Sequence, residues 1–190
     1  MKKLMLLVLV LSLSTLAFAG SETIDFEQYA QFTQITNQYS AMGVTFDSAL
    51  QLVAPNYDYF DFPAHSGNGV ITDDPSSTIT MTFAAGFAGS AITGWFNAPA
   101  GMTATAYDSL GHVLATFTGT TTPGITQEFS LSGLGYIAKI TFDDGGGGDT
   151  LTLDDLSWTP IPEPSSVLVM GSGLLTFGTL LRRKLAMRRN

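Results

Sequence analysis

Aromatic rings and carboxylates crowd one stretch of this chain, APNYDYFDFPAHSGNGVITDDPSS at residues 54–77. Tyr57 and Tyr59 flank Asp58, and Asp61 follows two residues later. Rings of this kind stack on the apolar face of a sugar, and carboxylates beside them accept hydrogen bonds from its hydroxyls. These four residues are the candidate carbohydrate contacts. The same rings could instead close one end of a β-sandwich. A second cluster is LTLDDLSW, residues 151–158. Leu151 and Leu153 share one strand parity, while Leu156 and Trp158 share the other. One face can bury both pairs only if the strand slips by one residue at Asp154-Asp155, as a β-bulge does. Such a bulge re-aims side chains. The first expected strand carries Asp25 and Glu27 at alternate positions. If the terminal strands pair, Glu27 and Asp155 converge on one hard cation, and Ca2+ suits their oxygen donors. The alternative is two solvated carboxylates near a chain end. A third cluster, DDGGGGD at 143–149, is either a mobile turn or a loop that wraps a cation through its carbonyls. It lacks the lysine of a phosphate-binding loop and sits between strands, which excludes an ATP site.

No residue set announces catalysis. The chain has no cysteine and neither a G-x-S-x-G nor an H-E-x-x-H motif. Asp61, His65 and Ser66 contain the members of a hydrolytic triad, but at no familiar spacing. Carboxylates are plentiful, yet no pair is singled out for glycoside hydrolysis. The expectation is a protein without enzymatic activity, with a carbohydrate-active hydrolase as the alternative.

The elements that must position these residues are strands. Short alternating runs separated by Gly, Pro, Asn and Asp occupy 23–29, 43–53, 77–84, 90–97, 102–108, 113–119, 125–131, 137–143 and 150–158. Ile79, Met81 and Phe83 fall on one face of their run, and Thr78, Thr80 and Thr82 on the other. Nine such runs predict an all-β domain, an antiparallel β-sandwich. Threonine, not lysine or glutamate, is the usual outward residue. It leaves a flat polar surface without charge, suited to neutral polymers such as glycans.

The two ends differ from this body. MKKLMLLVLVLSLSTLAFAG has the basic start, apolar stretch and Ala17-Phe18-Ala19 step of a secretory signal peptide, assigned to residues 1–20. The body, 21–159, precedes a distinct tail, 160–190. From Ser21 to Pro160 the chain carries 15 acidic residues and one basic residue, Lys139, a formal charge of −14. Nucleic acid and acidic lipid are therefore poor partners. With a single basic residue in that stretch, most of its carboxylates must face water or bind an external cation. In the tail, Pro160, Pro162 and Pro164 end any strand. Residues 165–181 are 17 in number, about 25 Å as helix, enough for a thin hydrocarbon core. Arg182, Arg183 and Lys184 open the basic tail 182–190. Charge asymmetry keeps that tail cytoplasmic and places the acidic body outside.

The order of these parts, IPEPSSVLVMGSGLLTFGTLLRRK, resembles the tripartite sorting signal of PEP-CTERM proteins. Pro162, Glu163 and Pro164 match the motif, 165–181 the transmembrane helix, and Arg182 and Arg183 the basic cluster. The resemblance implies processing by an exosortase-type membrane protease. It also implies transient anchoring in the inner membrane and delivery to the cell surface or extracellular matrix, among extracellular polysaccharide. IDFE at 24–27, YSAMGVTF at 39–46, AYDSLGHVLA at 106–115, IAKITFD at 137–143 and LTLDDLSW resemble elements of PEP-CTERM ectodomains. Those look like jelly rolls of the galactose-binding-like kind, several of which hold a structural calcium between the first and last strands. Glu27 and Asp155 are the positions here that match. The function expected is a non-enzymatic surface or matrix protein that associates weakly with polysaccharide. A purely structural surface protein without a sugar site is the alternative.

Overall fold

The computed structural model describes residues 20–55, 62–74, 76, 78–84, 89–145 and 151–160. Among them run β1 (Glu22–Ile24), β2 (Gln34–Ile35), β3 (Val44–Asp47), β4 (Ala49–Val53), β5 (Gly69–Asp73) and β6 (Thr78–Phe83). They are followed by β7 (Gly89–Asn97), β8 (Met102–Tyr107), β9 (Val113–Gly119), β10 (Gln127–Leu131), β11 (Lys139–Asp143) and β12 (Thr152–Pro160). The strands form two antiparallel sheets. One has the order β10-β7-β12-β5-β4-β2, with β1 also paired to β12; the other has the order β3-β6-β11-β8-β9. From β5 to β8, and again from β9 to β12, consecutive strands alternate between the sheets, as in a jelly roll. The signal peptide, the Pro162-Glu163-Pro164 motif, the expected membrane helix and the Arg182-Arg183 cluster lie outside the described residues.

Alternation decides the core. In β6 the buried positions are Ile79, Met81 and Phe83, and the threonines face away. Trp158, Phe26, Phe96, Phe129 and Phe142 are the largest side chains fully withdrawn from solvent. Phe129 of β10 meets Phe142 of β11 edge-on across the two sheets, with ring centroids 5.5 Å apart. On the outer face of the second sheet, register lines Thr80, Thr141, Thr105 and Thr116 into one cross-strand row. Lys139 lies over the Tyr107 ring, its Nζ 4.6 Å from the centroid.

The sequence pattern differs from this architecture in four places. The first run, expected over 23–29, is strand only at Glu22–Ile24, so Asp25 and Glu27 follow β1 instead of alternating along it, and Phe26 between them takes a left-handed φ of 53°. The short β2 falls in a stretch where no strand was expected. The run 43–53 is two strands, β3 and β4, which belong to different sheets. Ser48 between them takes a left-handed φ of 56°, turning the chain across the sandwich without a glycine or proline to mark it. Conversely, β5 lies inside the stretch expected to be loop. All five of its residues are buried, so it shows no alternation of polar and apolar side chains.

Gly94 shows how tightly the flanking strands β12 and β10 close their side chains over β7. A Cβ there would lie 2.6 Å from Leu156 Cδ2 and 2.8 Å from Phe129 Cε1. Gly94→Ala is expected to lower stability by about 1–3 kcal/mol through overpacking, read as a fall in denaturant midpoint at unchanged slope.

Candidate functional site

The bulge anticipated at Asp154-Asp155 is present. Asp154 pairs with Trp95 and Ser157 with Thr93, so β12 advances three residues while β7 advances two. Asp155 takes the extra place with a φ of 46°. Leu153 and Leu156 are both buried as a result. The terminal strands also meet, with Ile24 opposite Leu156 and Glu22 opposite Trp158.

Both aspartates of the bulge meet the segment that leads into β5. Asp154 Oδ2 accepts hydrogen bonds from the backbone N–H of His65 at 2.8 Å and Ser66 at 2.9 Å. The backbone N–H of Asp155 donates to Asp154 Oδ1 at 2.7 Å. Asp155 Oδ2 lies 2.7 Å from His65 Nδ1, and its Oδ1 accepts from the Ser66 hydroxyl at 3.0 Å. Glu27 Oε1 holds the next two residues, accepting from the N–H of Asn68 at 2.8 Å and of Gly69 at 2.6 Å. Three carboxylates thus pin one loop. Gly67 allows the approach: its φ is +54°, and a Cβ would run into the Glu27 carboxylate. Burial pushes the Asp154 carboxyl up to about 6. The Asp155 charge adds to that rise, while the N–H donors of Ser66, Asp155 and His65 oppose it.

The pinned loop carries an aromatic surface. The His65 ring stacks on Trp95 of β7 at a centroid separation of 3.6 Å and an interplanar angle of 7°. Gly94 and Phe96 face the core, so Trp95 projects to the outer face, where it is half-buried. Its neighbour across the ladder to β10 is Glu128, which is exposed. A stacked ring pair between Glu128 and Asp155, with hydroxyls on Ser66, Thr93 and Ser157 nearby, combines an apolar platform with hydrogen-bonding groups. That combination suits a sugar ring. His65 and Ser66 do not form a hydrolytic relay. The Ser66 hydroxyl donates to Asp155 Oδ1, whereas a relay needs it at the free nitrogen of His65.

Glu27 and Asp155 are brought to the same loop, one on residues 68–69 and the other on 65–66. Among the described residues, no group of three or more His, Asp or Glu side chains is arranged to hold a metal ion. Tyr57, Asp58, Tyr59 and Asp61 lie outside the described residues. Trp95 is not marked out by the sequence, because its strand shows ordinary alternation. The one available signal was a large aromatic at an outward position, between Gly94 and Phe96. Nothing local links it to His65, 30 positions earlier.

No protein-family model matches the chain, and no curated protein does. Solved structures match by fold. The K2 cleaved adhesin domain of Lys-gingipain superposes with a TM-score of 0.50 at 12% identity, covering 74% of this chain and 99% of that one. The K1 cleaved adhesin domain of Lys-gingipain from Porphyromonas gingivalis W83 gives 0.47 at 12%, covering 75% and 99%. TmCBM61 in complex with β-1,4-galactotriose gives 0.43 at 13%, covering 71% and 100%.

Proposed function

We propose that this chain is an exported, non-enzymatic surface protein whose β-sandwich associates with neutral polysaccharide. The observation that carries the reading is the His65–Trp95 stack on the outer face of the β7–β12 ladder. The lopsided charge of the body makes anionic glycans poor ligands, because carboxylates such as Glu128 and Asp155 flank the rings. Export through the signal peptide and anchoring by the span 165–181 are parts of the same proposal. So are processing at Pro162-Glu163-Pro164 by an exosortase-type protease and release to the surface or matrix. Calcium as a structural ion held by Glu27 and Asp155 beside the loop belongs to it too.

The test is binding to a panel of neutral and acidic polysaccharides, by affinity electrophoresis, with Trp95→Ala beside the native chain. Retardation by at least one neutral polymer is expected, falling about tenfold or more in the variant, because an aromatic anchor is removed. Trp95 is on the outer face, so the variant should melt close to the native protein. Native chain that binds no polymer would instead support a purely structural surface protein. Undiminished binding by Trp95→Ala would move the site away from this platform.

A further inference from the structure

β9 closes one side of the second sheet. It pairs with β8 and ends the strand order β3-β6-β11-β8-β9. Among the described residues, no strand pairs with its far edge. Such an edge presents backbone N–H and C=O groups that invite another strand, and proteins commonly blunt it with charge, proline or brevity. The other edges carry those devices. β10 holds Glu128, β3 ends on Asp47, β1 begins with Glu22, and β2 is two residues long. β9 is seven residues, VLATFTG, with neither a charge nor a proline. One bulge, at Leu114, interrupts its start and leaves Ala115 to Gly119 regular.

The flanks of this strand are apolar too. Leu110 and Val113, at its first end, are exposed, and so is Ile125, beyond its last. Residues 119–127 contain no charged side chain. On the inner side, Phe117 meets Phe96 and Phe129 at 5.8 and 6.1 Å, yet it and Ala115 are only partly buried. The body around this edge carries a formal charge of −14 from Ser21 to Pro160, so two copies repel over most of their surfaces.

We propose that β9 pairs with β9 of a second copy of this chain, antiparallel about a two-fold axis at Thr116, joining their second sheets into one. Three features select this occupant. The groups on offer are backbone, so the partner is a strand. Two-fold pairing brings Leu110 and Val113 of one copy towards the uncharged segment that holds Ile125 in the other. It also sets Ala115 opposite Phe117 of the second copy, repeating the small–large pair that Ala104 makes with Phe117 inside the sheet. An axis at Phe117 would instead set two large rings directly opposite each other. On the outer face, the row Thr80, Thr141, Thr105 and Thr116 runs on into the same row of the second copy. Threonines directly opposite one another are a favourable cross-strand pair. One strand pair is a small interface, so the dimer is weak and reversible. Trp95 lies on the other sheet, which makes this pairing independent of the sugar platform.

The chain has no cysteine, so a single introduced thiol reports its own position. The experiment is mild oxidation of the full chain carrying Thr116→Cys, Thr118→Cys or Thr80→Cys, in non-ionic detergent so that the apolar ends do not drive association. Thr116→Cys should give a disulfide-linked dimer, since directly paired residues lie about 4.5–5.5 Å apart at Cα, within disulfide reach. Thr118 would face Leu114 of the second copy, which leaves two thiols at 118 roughly 13 Å apart along the strands. Thr80 lies on the inner strand β6. Both should crosslink several-fold less than Thr116→Cys. Sedimentation of the native chain should show a reversible monomer–dimer equilibrium that tightens as salt screens the acidic bodies. Thr116→Glu, at an exposed position, should melt close to the native protein and weaken the dimer about fivefold or more, because like charges then stand opposite each other. A native chain that stays monomeric at every concentration and salt would overturn the proposal. So would equal crosslinking by the three thiols, or association undiminished in Thr116→Glu. If Thr116→Glu folds poorly, the crosslinking pattern decides: a dimer specific to position 116 supports the pairing and its absence overturns it.

Discussion

Gly69→Ala is expected to destabilise the domain by roughly 3 kcal/mol or more, lowering its melting temperature by on the order of 10 °C. A Cβ at this position would run into the carbonyl oxygen of Phe26 and lie 2.8 Å from its carbonyl carbon. The obstacle is backbone, so no rotamer change relieves it. Nor can Phe26 easily retreat. Its φ is 53°, its ring is fully buried, and it packs edge-on against Tyr39 and Phe46 at 5.8 and 6.0 Å. Its carbonyl also accepts a hydrogen bond from Gln51 Nε2 at 2.8 Å. On the other side, the Gly69 N–H is held by Glu27. Alanine must therefore displace β5, the Phe26 backbone or both. A useful comparison is Gly133→Ala, where φ is +70° and nothing lies within 4 Å of the added carbon. That change should cost only about 1 kcal/mol, from the left-handed backbone alone. Equal losses for the two variants would show that β5 does not press on Phe26 as described.

Stability should fall as pH rises from 4 to 7.5 in the presence of chelator. Asp154 is protonated more readily in the folded protein, with its carboxyl at about 6, than in the unfolded chain at the ordinary value of 3.8. A raised folded value means that its contribution is fully present below the unfolded value and is lost as pH climbs through 6. Two units correspond to about 3 kcal/mol at 1.36 kcal/mol each. Asp73 acts in the same direction, and so does mutual repulsion among the many acidic side chains of the body. Asp108 acts oppositely. Its hydrogen bonds with His112 hold its carboxyl below the usual range, so what it adds is lost only at still lower pH. Urea unfolding across this range should show its maximum near pH 4 and a descending limb between about pH 4 and 6 that levels off above it. In Asp154→Asn the descending limb should be shallower. A native profile that rises steadily to pH 7.5 would contradict the buried, acid-preferring carboxyl.

Much of the sandwich was legible because its strands obey period two. The parity of Ile79, Met81 and Phe83 sufficed to orient β6. The conflict between Leu153 and Leu156 located the bulge and the outward turn of Asp155. Other features depended on burial that local pattern does not encode. β5 is withdrawn from solvent on both faces and sits among glycine, proline and aspartate, so it resembled loop. Ser48 turns the chain between sheets because tertiary pairing holds it there. Tyr57, Asp58, Tyr59 and Asp61 lie outside the described residues, and the ring pair that the structure shows is His65 on Trp95. His65 follows the expected tyrosines, while Trp95 enters only through the folding of that loop across β7. The inward Asp73 and Asp144 were hidden by the usual habit of aspartate to face water. Only their agreement in parity with Ile71 and Phe142 discloses them.

β12 lies between β7 on one side and β5 followed by β1 on the other, and the chain leaves it at Pro160. Trp95 sits on β7 opposite Asp154, at the far end of the same ladder from the Gly89–Pro160 pair. A pull applied between Trp95 and Pro160 therefore acts along the strands. It loads the rungs between them together, as shear, instead of peeling them one after another. The second sheet stays outside this line of force. The extra residue at Asp155 acts as a mechanical stop, because β12 cannot slide past β7 without tearing the His65 loop from its carboxylates.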